Sequence, residues 1–302
     1  MGKLFDKGRA EVLIALLAEA RRTRVVEVGA NPINENRYGD LLAMGACDVW
    51  GFEPEERAFA RLTPGPRETY LPVAVGDGRP GVFHVCKSIS LSSLLEPDPA
   101  TPAFFQRLNG PTAVERRIPV GTVRIDDLED IPEFDLLKID VQGGELQVYE
   151  GARRKPGSFS SVIAEVGFVP LYKDQPLLDA QMAYLRESGL DLHKFLFLKG
   201  FSLRGGLNTG LNKQGHANQP LDGDAVFLRS LRAPATIGNE TLKHMAILAD
   251  TVFESFDVAL RCIDHLLERG QADSGAAAKY AAMLPDRAAQ PARDMKKERI
   301  NA

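Results

Sequence analysis

Cysteine is scarce in this 302-residue chain: Cys47, Cys86 and Cys262 stand far apart and form no C-x-x-C pair. An odd, scattered set of thiols supports neither a disulfide framework nor a structural zinc site, and reads as three reduced thiols in a cytoplasmic protein. No apolar run approaches the roughly 18 residues of a membrane span. A secretory leader is missing too, because MGKLFDKGRAEVLIALLAEARR is broken by charge and predicts an amphipathic helix. Positive charge is not in excess. With 37 Lys and Arg against 41 Asp and Glu, the net charge of -4 argues against the basic face that nucleic acid needs. His84, His193, His244 and His265 fall at no ligand spacing, and no metal site is expected.

Two further gaps concern nicotinamide chemistry. A pyrophosphate needs close backbone approach through G-x-G-x-x-G, but the corresponding loop reads Gly29-Ala30-Asn31-Pro32-Ile33-Asn34. None of the six tyrosines has lysine four residues later, so the Tyr-x-x-x-Lys pair of short-chain oxidoreductases is absent. A nicotinamide-dependent oxidoreductase is therefore the weaker reading.

What is present is alternation. Leu13, Leu16, Leu17 and Ala20 make one helical stripe. Strands follow at 24–30, 48–54 and 68–78, with helices at 38–46 and in EERAFARL between them. GVFHVCKS and ERRIPVGTVRIDDL read as extra strands around a Pro-rich connection at 96–112. Later come a strand at 160–168, the helix LLDAQMAYLRESG, and the strands LDLHKFLFLKGF and DAVFLRS. Such alternation predicts an α/β fold, a mostly parallel sheet with helices on both faces. The expected division is a main domain over 1–232, a helical extension over 233–270 and a flexible tail over 271–302. In the extension Leu242, Met245, Ala249, Val252, Phe256, Leu260, Ile263 and Leu267 form one stripe, which packs on the main domain or joins two copies as a homodimer.

In open parallel sheets ligands bind beyond the carboxyl ends of the strands. Gly29 ends the first strand and allows tight reversal. Glu53 ends the second, where a carboxylate can accept from both hydroxyls of a ribose. The alternatives are a plain turn and a surface acid. Asp77, in Gly76-Asp77-Gly78, could reach a nucleoside base or simply form a turn. FDLLKIDVQGGELQVYEGA (134–152) begins as a buried strand, then breaks at Asp140, Gln142 and two glycines. A carboxylate at the end of an apolar strand is costly to bury without a partner. Asp140 either meets a cationic or donor-rich ligand or caps the following helix.

The order of these motifs resembles the FkbM-type family of S-adenosylmethionine-dependent methyltransferases. The resemblance rests on VVEVGAN (25–31), GFEP (51–54), VAVGD (73–77), SLSSL (90–94) and VRIDDL (123–128). LLKIDVQGGELQVYEGA (136–152), IAEV (163–166) and GDAVFLR (223–229) complete it, over roughly residues 20–230. It implies a Rossmann-like class I fold with seven strands, one reversed at an edge, and S-adenosyl-L-methionine as cofactor. It further implies O-methylation of a sugar, glycoconjugate or secondary metabolite. Carried onto this chain, the matches make Glu27, Gly29, Ala30, Asn31, Glu53, Val75, Asp77 and Asp140 the cofactor-binding set. Two departures stand out: Ile33 where the family has glycine, and Gln142 where it has glutamate.

Methyl transfer to a hydroxyl needs alignment, exclusion of water and a nearby base. Asp140 and Glu165, ending neighbouring strands, are the catalytic candidates: Asp140 for the cofactor's ammonium or the acceptor hydroxyl, Glu165 to assist or orient the acceptor. The loop RGGLNTGLNKQGHANQPLDG offers Asn208, Asn212 and His216 to a polyhydroxyl small-molecule or glycan acceptor, and 88–117 is the other candidate for specificity. A scaffold that no longer turns over remains the rival from another class, with Ile33 and Gln142 as its support.

Overall fold

The computed structural model describes residues 4–31, 36–105, 108, 110–154, 159–203, 207 and 216–285. In chain order the elements begin with α1 (Lys7–Leu17), β1 (Thr23–Val28), α2 (Gly39–Ala43), β2 (Cys47–Phe52), α3 (Glu56–Phe59) and β3 (Glu68–Leu71). Next come β4 (Ala74–Val75), β5 (Pro80–Cys86), α4 (Ala100–Phe105), β6 (Val114–Val123), β7 (Leu136–Ile139), α5 (Glu145–Gly151) and β8 (Ser161–Gly167). The chain continues through α6 (Leu178–Glu187), β9 (Leu190–Phe201), β10 (Gln219–Arg229), α7 (Asn239–Thr251), α8 (Phe256–Glu268) and α9 (Ser274–Ala282). Among the described residues no helix is long and apolar enough to cross a membrane.

The chain divides into two compact units. The larger, Arg22–Asn36 with Gly45–Pro234, holds a seven-stranded sheet ordered β3-β2-β1-β7-β8-β10-β9. Its first five strands run parallel, while β10 is antiparallel to both β8 and β9. The reversed strand thus lies one place in from the edge, which β9 occupies. Strands covered on both faces are mostly apolar, and all four residues of β7 are buried, Lys138 by way of its ion pair with Glu27. Pairing sets whole rows of the core: Val26, Leu137, Val162 and Phe227 stand side by side, and Val28, Ile139, Ala164 and Ala225 form the next row. All eight are buried in one cluster.

The expected third strand, 68–78, is two strands. Pro72 has no N–H to give a ladder, and the chain changes sheets there: β3 stays in the main sheet, while β4 joins a second sheet ordered β4-β6-β5. The expected strands at GVFHVCKS and ERRIPVGTVRIDDL are the antiparallel partners β5 and β6 of that sheet. The connection between them carries the short helix α4.

The smaller unit comprises Met1–Arg21, Arg37–Met44 and Ala235–Ala302. The N-terminal helix therefore groups with the C-terminal helices, against the expected 1–232 domain. Here α1 packs on α7 and α9, and α8 packs on α7 and α9. Arg9 is buried; its Nε donates to Asp250 Oδ2 at 2.8 Å, and Tyr280 Oη donates to the same oxygen at 2.8 Å. Asp250 in this way ties α7 to α1 and α9. The flexible tail expected from residue 271 is corrected in part, since Ser274–Ala282 is helical and Tyr280 is buried. Residues 286–302 lie outside the described residues.

Candidate functional site

The carboxyl ends of β1, β2 and β7 surround a hollow of about 650 Å³. Gly29, Glu53 and Asp140 all line it, with Asn31, Val75 and Gln142. Gly29 (φ +84°) has no room for a side chain, because a Cβ there would lie 1.9 Å from the Asp140 carbonyl oxygen. Its amide and that of Ala30 both donate to Phe52 O at 2.9 Å. The glycine thus lets three strand ends crowd together, a demand of the backbone rather than of a ligand.

Glu53 is 5% exposed, and one carboxylate oxygen accepts from the Glu55 amide at 2.8 Å. Burial raises its carboxyl to about 7, with the charges of Glu55 and Asp140 pushing the same way. Glu55 also lines the hollow and caps α3 through the Ala58 amide at 2.8 Å. Burial opposes its charge, but Arg57 at 2.8 Å and that helix amide outweigh it and hold the carboxyl below its usual range. These two acids therefore have opposite tendencies: burial dominates at Glu53, while the bonds from Arg57 and the helix amide outweigh it at Glu55.

Asp140 Oδ1 accepts from Gln142 Nε2 at 2.8 Å. It does not cap α5, whose N-cap is Gly144 with no side-chain bond. Gln142 Nε2 also donates to Glu165 Oε2 at 2.6 Å, so one amide joins the ends of β7 and β8. Glu165 faces a second hollow of about 300 Å³, bordered also by Glu145, Tyr172, Gln175 and Asp222. Burial, and after it the charge of Asp140, hold the Glu165 carboxyl well above the usual range. Glu145, wholly enclosed, is raised to about 7 for the same first reason.

Three expected cofactor residues lie elsewhere. Glu27 is buried against Lys138 Nζ at 2.6 Å and does not line the hollow. Ala30 packs beside Gly51, where an added Cβ would lie 3.1 Å from its own. Asp77 accepts from the Arg79 amide at 3.0 Å, a contact within the Gly-Asp-Gly turn, and does not line the hollow. Of the expected acceptor residues, Asn208 and Asn212 lie outside the described residues, as does Ile33. His216 is exposed, borders neither hollow, and its carbonyl accepts from Ser202 Oγ at 2.9 Å.

Sequence reasoning missed the apolar wall. Phe83 of β5, with Ile89, Ser90 and Leu94, faces the strand ends across the hollow's lining. The SLSSL motif was its only signal. Ser93 within that motif donates to the Gln142 carbonyl at 2.7 Å, which explains its place beside the β7 turn. Among the described residues no group of three or more His, Cys, Asp or Glu is arranged to hold a metal ion.

The hollow combines carboxylate acceptors with apolar walls. Glu53, a buried acid, stands past β2, apolar residues flank it, and Asp140 stands past β7, with the end of β1 between them. Residues 27–194 match the model of the methyltransferase FkbM domain. No curated protein matches the chain. Among solved structures, a methyltransferase candidate from Thermoplasma acidophilum is similar at 12% identity over 70% of each chain, with a TM-score of 0.35. Precorrin-6y C5,15-methyltransferase from Geobacter metallireducens GS-15 shares 12% identity over 76% of this chain and 92% of its own, at a TM-score of 0.34. The 16S rRNA (adenine(1408)-N(1))-methyltransferase from Catenulisporales acidiphilia shares 16% over 75% and 95%, at 0.31.

Proposed function

Since this chain belongs to the methyltransferase FkbM family, we propose that it transfers a methyl group from S-adenosylmethionine to a hydroxyl of a sugar, glycoconjugate or secondary metabolite. The observation that carries the reading is the convergence of Gly29, Glu53 and Asp140 on one hollow. When bound, the cofactor supplies an electrophilic methyl group on a sulfonium that leaves as a neutral thioether.

The rest is the work of this chain's side chains. Glu53 accepts from the ribose hydroxyls, which requires its ionised form. Val75, Phe83 and Ile89, apolar residues of the lining, would flank the base and exclude water from that side. Asp140 holds the cofactor's ammonium or draws on the acceptor hydroxyl, where a base contributes by taking the proton as the bond forms. Glu165 opens on the adjoining hollow, which supports a role beside an acceptor. Its raised pKa favours the protonated form, suited to orienting a hydroxyl more than to deprotonating it. Alignment of acceptor, methyl and sulfur supplies most of the remaining acceleration.

Calorimetric titration with S-adenosylmethionine, with NAD as the control, tests the reading. Heat and a thermal shift with the methyl donor alone support it. Silence with both favours a scaffold, and heat with NAD alone favours an oxidoreductase. Methylation of an acceptor is then followed by mass: a gain on oxygen supports the proposal, and a gain on nitrogen or carbon corrects it.

A further inference from the structure

Gln142 borders both hollows, the one residue common to their linings. Its side chain is fully engaged. The amide nitrogen gives one hydrogen to Asp140 Oδ1 at 2.8 Å and one to Glu165 Oε2 at 2.6 Å. Its Oε1 accepts from Tyr172 Oη at 2.9 Å, a hydroxyl that also points at Leu91 O, 3.1 Å away. An amide has two N–H donors on one side and a carbonyl on the other. Flipping it would turn the carbonyl toward two acids and the donors toward a hydroxyl, so one orientation is locked. The backbone is committed as well: Gln142 has φ +58°, a region that residues with side chains rarely occupy, and its carbonyl accepts from Ser93 Oγ at 2.7 Å. Strain at a non-glycine residue persists where the surroundings over-determine it, and such places cluster at working sites.

We propose that Gln142 is a positioning residue, a neutral amide clamp that aims Asp140 at the cofactor and Glu165 at the acceptor and keeps the two acids from sharing a proton directly. The proposal rests on the methyltransferase reading above. Neutrality is the point, because the surroundings are already acidic. Asp140 stands past β7, Glu145 opens α5, Glu165 ends β8, and Asp222 and Asp224 lie on β10. Glu53 faces Asp140 from beyond β2. Among the described residues the cations beside these acids are engaged: Lys138 with Glu27 at 2.6 Å, Lys199 of β9 with Asp222 at 3.0 Å, and Arg61, near Glu53, with the Arg57 carbonyl at 3.2 Å. A carboxylate at position 142 would set a further negative charge against Asp140 and Glu165, whereas an amide satisfies both and adds no charge.

The test uses S-adenosylhomocysteine as probe. Its net charge near neutrality is zero, so an added negative charge does not draw it in by simple attraction. Affinity is measured by calorimetry between about pH 5.5 and 8.5, each variant against wild type at the same pH. Gln142→Met fills similar space without hydrogen bonds and binds about tenfold more weakly throughout. Gln142→Glu stays within about threefold of wild type at the acid end, where its carboxyl still donates, and falls by about tenfold or more as it ionises. Tyr172→Phe loosens the clamp alone, weakening binding by about threefold, and adds nothing in the Gln142→Met background.

A Gln142→Glu profile parallel to wild type, or a Gln142→Met that binds like wild type, overturns the clamp. Should neither variant fold by circular dichroism, Tyr172→Phe decides, and unchanged affinity there overturns it. Wild-type protein that fails to bind the probe sinks the methyltransferase reading itself, whereas binding indifferent to position 142 sinks only the clamp.

Discussion

Glu27 and Lys138 face each other across β1 and β7, Cα atoms in register, with Lys138 Nζ 2.6 Å from Glu27 Oε1. Each lies two residues before a residue that lines the hollow, Gly29 and Asp140 respectively. The pair is buried, and truncating one partner strands the other's charge in the sheet. Lys138→Met is expected to lower stability by about 3 kcal/mol in urea unfolding. The double variant Glu27→Leu with Lys138→Met recovers most of that loss, because no uncompensated charge remains. A single-variant cost under about 1 kcal/mol would show that the pair is solvated after all.

Glu53 gives the site a pH dependence. Its carboxyl is raised to about 7 by burial, and ribose hydroxyls need it ionised. Affinity for S-adenosylhomocysteine therefore falls as pH drops below about 7 and levels above it. Glu53→Gln removes that slope. The effect on stability has the opposite sign. The folded carboxyl sits above the unfolded value of 4.5, so the folded state binds more protons and stability declines as pH rises between them. Chemical unfolding at several pH values checks the second statement independently of any ligand.

Asp140 and Asp77 separate two readings of acidic strand ends. Asp140 lines the hollow and Asp77 does not. Asp140→Asn is expected to weaken S-adenosylmethionine binding by about tenfold, the scale of a hydrogen bond to a charged group. Asp77→Asn leaves it within about twofold, costing only a turn contact. Equal losses in both would place the base near Asp77 and overturn the assignment.

Gly29→Ala should be severe. The new methyl would sit 1.9 Å from the Asp140 carbonyl, on a backbone with φ +84°. A loss of at least about 2 kcal/mol follows from the strain and the clash together. Thermal unfolding measures it, and a neutral result would mean that β1 and β7 part more readily than their pairing indicates.

The order of strands and helices was legible because apolar runs in this chain stop at glycines and acids. The same breaks located Gly29, Glu53 and Asp140. Other features could not be read from adjacent residues. Val73, Ala74 and Val75 continue the pattern of β3 so well that the change of sheet after Pro72 was hidden. The apolar stripe runs unbroken from Val252 to Phe256, concealing the gap between α7 and α8. A stretch rich in Ala reads as a tail, yet Tyr280 within it is buried on Asp250. Gln142 looked like a lost acid, since its partners Glu165 and Tyr172 come much later in the chain. Side-chain neighbours of that kind are a product of topology, not of local sequence.

The transfer of the chain from one sheet to another at Pro72 brings two sheets to one hollow. The large sheet supplies Val28 and Phe52 and leads into Glu53 and Asp140, while the small one supplies Val75 and Phe83. The small sheet reaches the acids as well, since Arg116 of β6 lies 3.5 Å from the Glu55 carboxylate at the rim of the same lining. Changes in the small sheet therefore bear on both the greasy wall and the charge at that edge.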